Sequence, residues 1–275
     1  FMTLSVGHIT YANCIPWFHF LRESGFSGAV VNGVPAELNR LLAAGKIDIC
    51  PSSSIEYARN PDKYLLLPRH SISSIGPVES VLLFTPTPMS ELNRVPIAIT
   101  GESATSVALL QVLLKEFIHL EEVVCSVPDI PVEDVIAQSR PALLIGDRAL
   151  KMSGAGRPAE HIIDLGALWH HFTGLPFVFA LWIVRQDVVR EKSAEVATFV
   201  TQLDASRARA FQSLEDVVQS STEVSWMGKE RLYNYLTSVS YDLDPQHLTG
   251  LTCFYSLLEK HGLIETAPNP RFIPN

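Results

Sequence analysis

Ser80-Val81-Leu82-Leu83-Phe84-Thr85 and Phe177-Val178-Phe179-Ala180-Leu181-Trp182-Ile183-Val184 are two apolar runs rich in β-branched and aromatic residues. The first is broken by Pro86 and Pro88. Between them the pattern closes on itself: a strand over 97–100, a helix over 105–117, a strand near Val123, a helix over 132–137 and a strand over 142–145. Two such runs bracketing a self-contained β/α unit predict a two-lobed molecule. The runs themselves are expected to pair as crossover strands into and out of the second lobe. The boundaries that follow are lobe 1 over residues 1–86, lobe 2 over 87–177, and a return to lobe 1 over 178–275.

Outward from that unit, apolar runs alternate with helical periodicity, which is the mark of an α/β fold, each lobe a mixed sheet flanked by helices. A strand is expected over 4–9, then a loop to Pro16 and a helix over 17–23. A helix over 34–45 stops at Gly45, and a short strand over 47–50 ends in Pro51-Ser52-Ser53-Ser54. The chain after the second run reads as helices over 193–220, 229–238 and 245–261.

Of the 275 residues, 47% are hydrophobic and 18% charged, enough for a sizeable core and unlike a disordered chain. The net charge of −8 gives no basic footprint for nucleic acid. It also means that an anionic ligand must be attracted by local groups. Cys14, Cys50, Cys125 and Cys253 are widely spaced, with no C-x-x-C pair, and read as reduced thiols. The start of the chain lacks the basic and apolar regions of a secretory signal. The longest apolar stretch, 175–184, contains Pro176 and is too short to span a bilayer. The expectation is a cytoplasmic protein, monomer or homodimer, with no membrane or nucleic-acid partner.

Small hydroxylated residues fall where α/β proteins bind ligands, at the carboxyl ends of strands. Ser52, Ser53 and Ser54 follow one strand; Ser71, Ser73 and Ser74 precede Gly76-Pro77; Ser80 opens the first apolar run; Ser103, Thr105 and Ser106 open the clearest helix. Free N–H groups at a helix start, aided by hydroxyls and the helix dipole, can hold a carboxylate or phosphate. Two stations in two lobes would suit a molecule with two anionic groups. For any one serine, capping the helix is the commoner use. Asn13, in the loop after the first strand, suits either ligand contact or an Asx turn before Pro16. Asp147 is a candidate base or a helix cap, Glu56 starts a helix, and Glu79 and Ser80 cannot face the same side of a strand. Adjacent His170 and His171 cannot share a ligand on a helix, and His8 and His70 lie near the candidate loops. No H-E-x-x-H, C-x-x-C, Walker, Rossmann or G-x-S-x-G pattern occurs, which moves metal, nucleotide, dinucleotide and serine-hydrolase chemistry out of the front rank.

Gly7-His-Ile-Thr-Tyr-Ala-Asn-Cys-Ile-Pro16, the segments over 67–80 and 144–147, Ala104-Thr-Ser106 and the segment over 169–180 together resemble the chorismate dehydratases of the futalosine route to menaquinone. The resemblance covers nearly the whole chain in order. It implies the two-lobed fold of type 2 periplasmic solute-binding proteins and a lyase that removes water from chorismate to give 3-[(1-carboxyvinyl)oxy]benzoate, with no cofactor or metal. It further implies Asn13 and Ser80 at the reacting ring, Ser53 and Ser54 on one carboxylate, and Thr105 and Ser106 on the other from the opposite lobe. Gly146 and Asp147 would add substrate contacts. The base is left open between the substrate's own enolpyruvyl carboxylate and Glu79 or Asp147. Two alternatives stand beside this reading. One is the sister enzyme forming 1,4-dihydroxy-6-naphthoate, which relies on a catalytic histidine; the other is a non-catalytic binder of small carboxylates.

Overall fold

The computed structural model describes residues 3–156 and 158–274. Phe1 and Met2, where the segment read for a signal begins, lie outside the described residues. Two five-stranded mixed sheets form the frame, each with helices against it. The first takes the order β2-β1-β3-β10-β4, from β1 (Ser5–Ile9), β2 (Ala29–Gly33), β3 (Ile49–Ser53), β4 (Tyr64–Ser74) and β10 (Phe177–Arg185). The second takes the order β7-β6-β8-β5-β9, from β5 (Val81–Thr85), β6 (Pro96–Ile99), β7 (Val124–Ser126), β8 (Ala142–Ile145) and β9 (His161–Asp164).

The two apolar runs that announce the lobes are both central strands, but of different sheets. β5 lies between β8 and β9 in the second sheet, and β10 between β3 and β4 in the first. They do not pair with one another, so the expected crossover pair is replaced by two irregular connections over 75–80 and 174–176. The first crossover therefore precedes residues 81–85 instead of following residue 86. The apolar composition carried no sign of which sheet each run joins, because burial on both faces gives the same unbroken run in either lobe.

β4 was not anticipated as a strand, since Pro68 and Arg69 interrupt it. It is an edge strand, where a missing N–H is tolerated, and it bulges at these residues, with Leu181 opposite Ser71 and Ile183 opposite Leu66. Arg69 takes φ +66° in that bulge. β3 runs on through Pro51, Ser52 and Ser53, so the serine strip belongs partly to the strand.

Helices in the first half are α1 (Ile15–Phe18), α2 (Pro35–Ala43) and α3 (Ser54–Arg59), followed in the second lobe by α4 (Ala104–Val112), α5 (Val132–Ala137), α6 (Gly146–Gly154) and α7 (Leu165–Thr173). The return segment adds α8 (Gln186–Glu191), α9 (Ser193–Gln212), α10 (Leu214–Ser220), α11 (Val224–Met227), α12 (Lys229–Ser238) and α13 (Pro245–Lys260), close to the helices expected there. Among the described residues no helix is long and apolar enough to cross a membrane.

Aromatic side chains fill the first lobe, with Trp17 edge-on to Trp182 at 5.2 Å and Trp182 against Phe199 at 5.6 Å. A second aromatic group, Trp169, Phe177 and Phe254, packs where the chain returns from lobe 2. Burying an indole removes about 150–250 Å² from water, worth roughly 4–6 kcal/mol at about 25 cal/mol/Å² as an upper bound. The crossover is thus held as firmly as the lobes. Against the other face of the second sheet, Val132, Val135, Ile136 and Ala149 complete a smaller core.

Candidate active site

β1 and β3 of the first sheet and β6 and β8 of the second end at one cleft between the lobes. About 530 Å³ of space, part of it open to solvent, lies within it. Its polar lining is Asn13, Ser53, Ser80, Ser103, Ser106 and Tyr11, set among Ile9, Ile72, Val78, Ile145 and Phe179. Among the described residues the lining contains no carboxylate, histidine, lysine or arginine. Its ionisable groups are Tyr11 and Cys14, and burial pushes both upward, so both stay neutral near neutral pH.

The two hydroxyl stations meet. Ser54 opens α3 and Thr105 lies in the first turn of α4, from opposite lobes. Thr105 Oγ1 accepts the Ile55 N–H at 3.1 Å and lies 3.4 Å from Ser54 Oγ. The Ser54 carbonyl accepts from the Tyr255 hydroxyl at 2.7 Å. Ser54 and Thr105 are fully buried and lie outside the cleft lining, while Ser53 and Ser106 belong to it. Ser103 caps α4, accepting from the Ser106 N–H at 3.3 Å, and also faces the cleft. Instead of two separate stations, α3 and α4 bring their starts together and leave one serine cluster, Ser53, Ser103 and Ser106, facing the ligand space.

The second cluster holds Asn13 and Ser80. Asn13 sits in the 3₁₀ turn Ala12–Cys14 after β1, and Ser80 is the last residue before β5. Tyr235, from α12, donates its hydroxyl to Ser80 Oγ at 2.9 Å. Burial pushes this phenol up. The Ser80 carbonyl accepts the Gly146 N–H at 2.7 Å. Gly146 takes φ +57°, and a Cβ there would stand 2.9 Å from the Tyr11 ring, so only glycine lets the ring lie against this turn. Tyr235 was invisible in sequence, because Leu232, Tyr235 and Leu236 at helical spacing read simply as a core face.

Both rival bases face elsewhere. Asp147 Oδ1 accepts the Ala12 N–H at 3.0 Å from the first turn of α6; burial pushes the carboxyl up and that N–H pulls it down. Glu79, at φ +62°, accepts from the Ser238 hydroxyl at 3.3 Å. Its turn is fixed by Asp164, whose carboxylate accepts the N–H groups of Val78 at 3.0 Å and Glu79 at 2.6 Å. Asp164 also caps α7 through the Ala167 N–H at 3.0 Å. An aspartate before a helical run is a cap signal that sequence can supply; its second duty to the crossover is not.

Across the cleft, the Tyr11 hydroxyl donates to Glu102 at 2.7 Å, and Glu102 pairs with Arg148 at 3.1 Å, which pairs with Glu133 at 2.6 Å. Together with the Ala12–Asp147 and Ile55–Thr105 bonds, these hold the lobes against each other.

The histidines near the loops have structural partners. His8 stacks on Phe18 at 3.8 Å. His70 accepts from Trp17 Nε1 at Nδ1, 3.2 Å away, which puts its proton on Nε2, 2.9 Å from Asp204. Burial holds the His70 pKa below the ordinary 6.5, against the pull of Asp204. The unfolded chain then takes up a proton just below pH 6.5 that the folded one refuses, so stability should be flat above this value and decline as pH falls below it. Thermal unfolding from pH 8 to pH 5 measures this, and His70→Asn should flatten the slope; a wild-type Tm constant down to pH 5 would contradict it.

Comparison with known proteins agrees with this architecture. A family model described as menaquinone biosynthesis matches residues 4–260. The chain is 35% identical over 268 residues to a chorismate dehydratase of Thermus thermophilus, covering 90% of this chain and 92% of that one. It is 24% identical over 261 residues to a 1,4-dihydroxy-6-naphtoate synthase of the same organism, with the same coverage of 90% and 92%. Among solved structures, an Archaeoglobus fulgidus protein superposes with a TM-score of 0.77 at 18% identity, over 95% of this chain and 98% of that one. The alkanesulfonate-binding protein of Xanthomonas axonopodis pv. citri superposes with a TM-score of 0.69 at 14% identity, over 98% and 96%. Those likenesses establish the two-lobed, periplasmic-binding-protein-like fold. The match across almost the whole sequence makes this chain a member of the menaquinone biosynthesis family.

Proposed function

We propose that the protein is a chorismate dehydratase, a lyase that removes water from chorismate to give 3-[(1-carboxyvinyl)oxy]benzoate. The observation that carries this reading is the 35% identity to the Thermus enzyme of that name over 90% of the chain. The cleft supports it. The sister reading calls for a catalytic histidine, and no histidine lines the cleft.

Loss of water makes the ring aromatic, so the reaction runs downhill without an electron acceptor. One proton must leave C3 and one hydroxide must leave C4. With no carboxylate or imidazole in the lining, the substrate's own enolpyruvyl carboxylate takes the C3 proton and returns it to the departing hydroxyl, so the elements of water balance. The protein then supplies position and fixed dipoles. Ser53, Ser103 and Ser106, with the start of α4, receive a carboxylate through neutral donors, which suits a chain of net charge −8. Asn13 and Ser80 face the reacting edge of the ring, Ser80 donating to the C4 hydroxyl. Gly146 keeps Tyr11 packed over the cleft, and Asp147 ties the Asn13 turn to the opposite lobe.

Incubating the chelator-treated protein with chorismate, with products followed by chromatography and mass, tests the reading. The expected product is lighter by one water and aromatic in absorbance. Unchanged chorismate with ligand-induced stabilisation would replace the enzyme with a binding protein.

A further inference from the structure

We propose that Tyr235 is a positioning residue that locks Ser80, the neighbour of Asn13 in the cleft lining, into one orientation against the cleft, an inference that rests on the dehydratase reading. Tyr235 comes from α12, far in sequence from both loops, and is 1% exposed behind them. Its hydroxyl donates to Ser80 Oγ at 2.9 Å. Ser80 Oγ in turn donates to the Val78 carbonyl at 3.3 Å. Tyr235, Ser80 and the Val78 carbonyl thus form a directed chain of hydrogen bonds, with Ser80 and Val78 in the cleft lining.

The direction matters. With the Tyr235 proton committed to Ser80, the Ser80 proton is held only by a long bond to Val78, which a ligand oxygen can displace. Tyr235 itself takes no part in proton transfer, since the proton leaving C3 departs with the C4 hydroxyl as water. Burial also keeps the phenol protonated. Its contribution is orientation, felt in turnover more than in substrate capture, which the serine cluster performs.

Tyr235→Phe keeps the ring and removes the link. The expected result is a kcat lower by about 10- to 100-fold, the scale of a small misplacement at a reacting centre, with KM within about threefold of wild type. The Ser80 β-carbon resonance, identified by its loss in Ser80→Ala, should shift as the side chain samples other rotamers. Tyr241→Phe is the control, because the Tyr241 hydroxyl is buried with no hydrogen-bond partner among the described residues, and this variant should turn over normally. A Tyr235→Phe enzyme with wild-type kcat and an unmoved Ser80 resonance would overturn the proposal, as would a raised KM with intact kcat. Should the variant not fold, the wild-type protein still decides. A slowly exchanging Tyr235 hydroxyl proton with a nuclear Overhauser contact to the Ser80 β-protons is expected, and its absence refutes the link. If wild-type protein leaves chorismate untouched, the dehydratase reading fails, while the Ser80 resonance still reports whether Tyr235 orients the hydroxyl.

Discussion

Asn13→Ala should lower kcat on chorismate by about 10²–10³-fold, the cost of removing one preorganised donor from a water-poor site. The amide stands at the end of β1, where the cleft offers neutral donors and no charged ones. As the C3 proton leaves, negative charge grows on the conjugated ring system, and fixed dipoles aimed at it act more strongly in the transition state than in the ground state. Alanine removes that dipole, while the partly exposed position limits the loss of fold stability to about 1 kcal/mol. Steady-state kinetics beside thermal unfolding checks both halves. Turnover within threefold of wild type would remove Asn13 from the reaction, and a collapse in Tm would make its role structural.

Much of this site was legible because strand ends and helix starts are local features. The loop after β1, the serines after β3 and the hydroxyls opening α4 all stand where short-range pattern puts them, and Asn13, Ser53, Ser80, Ser106 and Gly146 all line the cleft. What escaped depends on long-range packing. Tyr235 meets Ser80 across 155 positions of chain, and nothing within α12 sets that tyrosine apart from its leucine neighbours. Ser54 and Thr105 looked like two stations because the sequence carries no angle between α3 and α4; in the fold their hydroxyls lie 3.4 Å apart, facing each other. β4 was hidden by Pro68, whose cost vanishes at a sheet edge. β5 was assigned to the wrong lobe because an unbroken apolar run states that a strand is buried and not by which neighbours. Asp147 and Glu79 were plausible bases by proximity in sequence, yet one binds the Ala12 N–H and the other is turned out by the left-handed backbone at its own position.

That left-handed turn points to the residue whose loss should cost the most stability. Asp164→Ala is expected to destabilise the protein by about 2–4 kcal/mol, combining a helix cap worth roughly 0.5–2 kcal/mol with charge-assisted bonds to the crossover. One carboxylate serves the N–H groups of Val78, Glu79 and Ala167, so a single substitution frees three buried or half-buried donors at the junction of the lobes. For a chain of this length the loss corresponds to a Tm lower by roughly 5–15 °C. Asp164→Asn retains one acceptor oxygen and should fall about midway. The functional consequence separates this residue from an ordinary cap. With Glu79 released from φ +62°, the adjacent Ser80 loses the backbone that aims it, so kcat should fall in Asp164→Ala even at temperatures where the variant is fully folded. Calorimetry paired with kcat at a temperature well below the variant's own transition tests the two effects apart. A cap alone would lower Tm and leave kcat unchanged, and that result would detach Asp164 from the site; a Tm within 2 °C of wild type would refute the shared anchoring altogether.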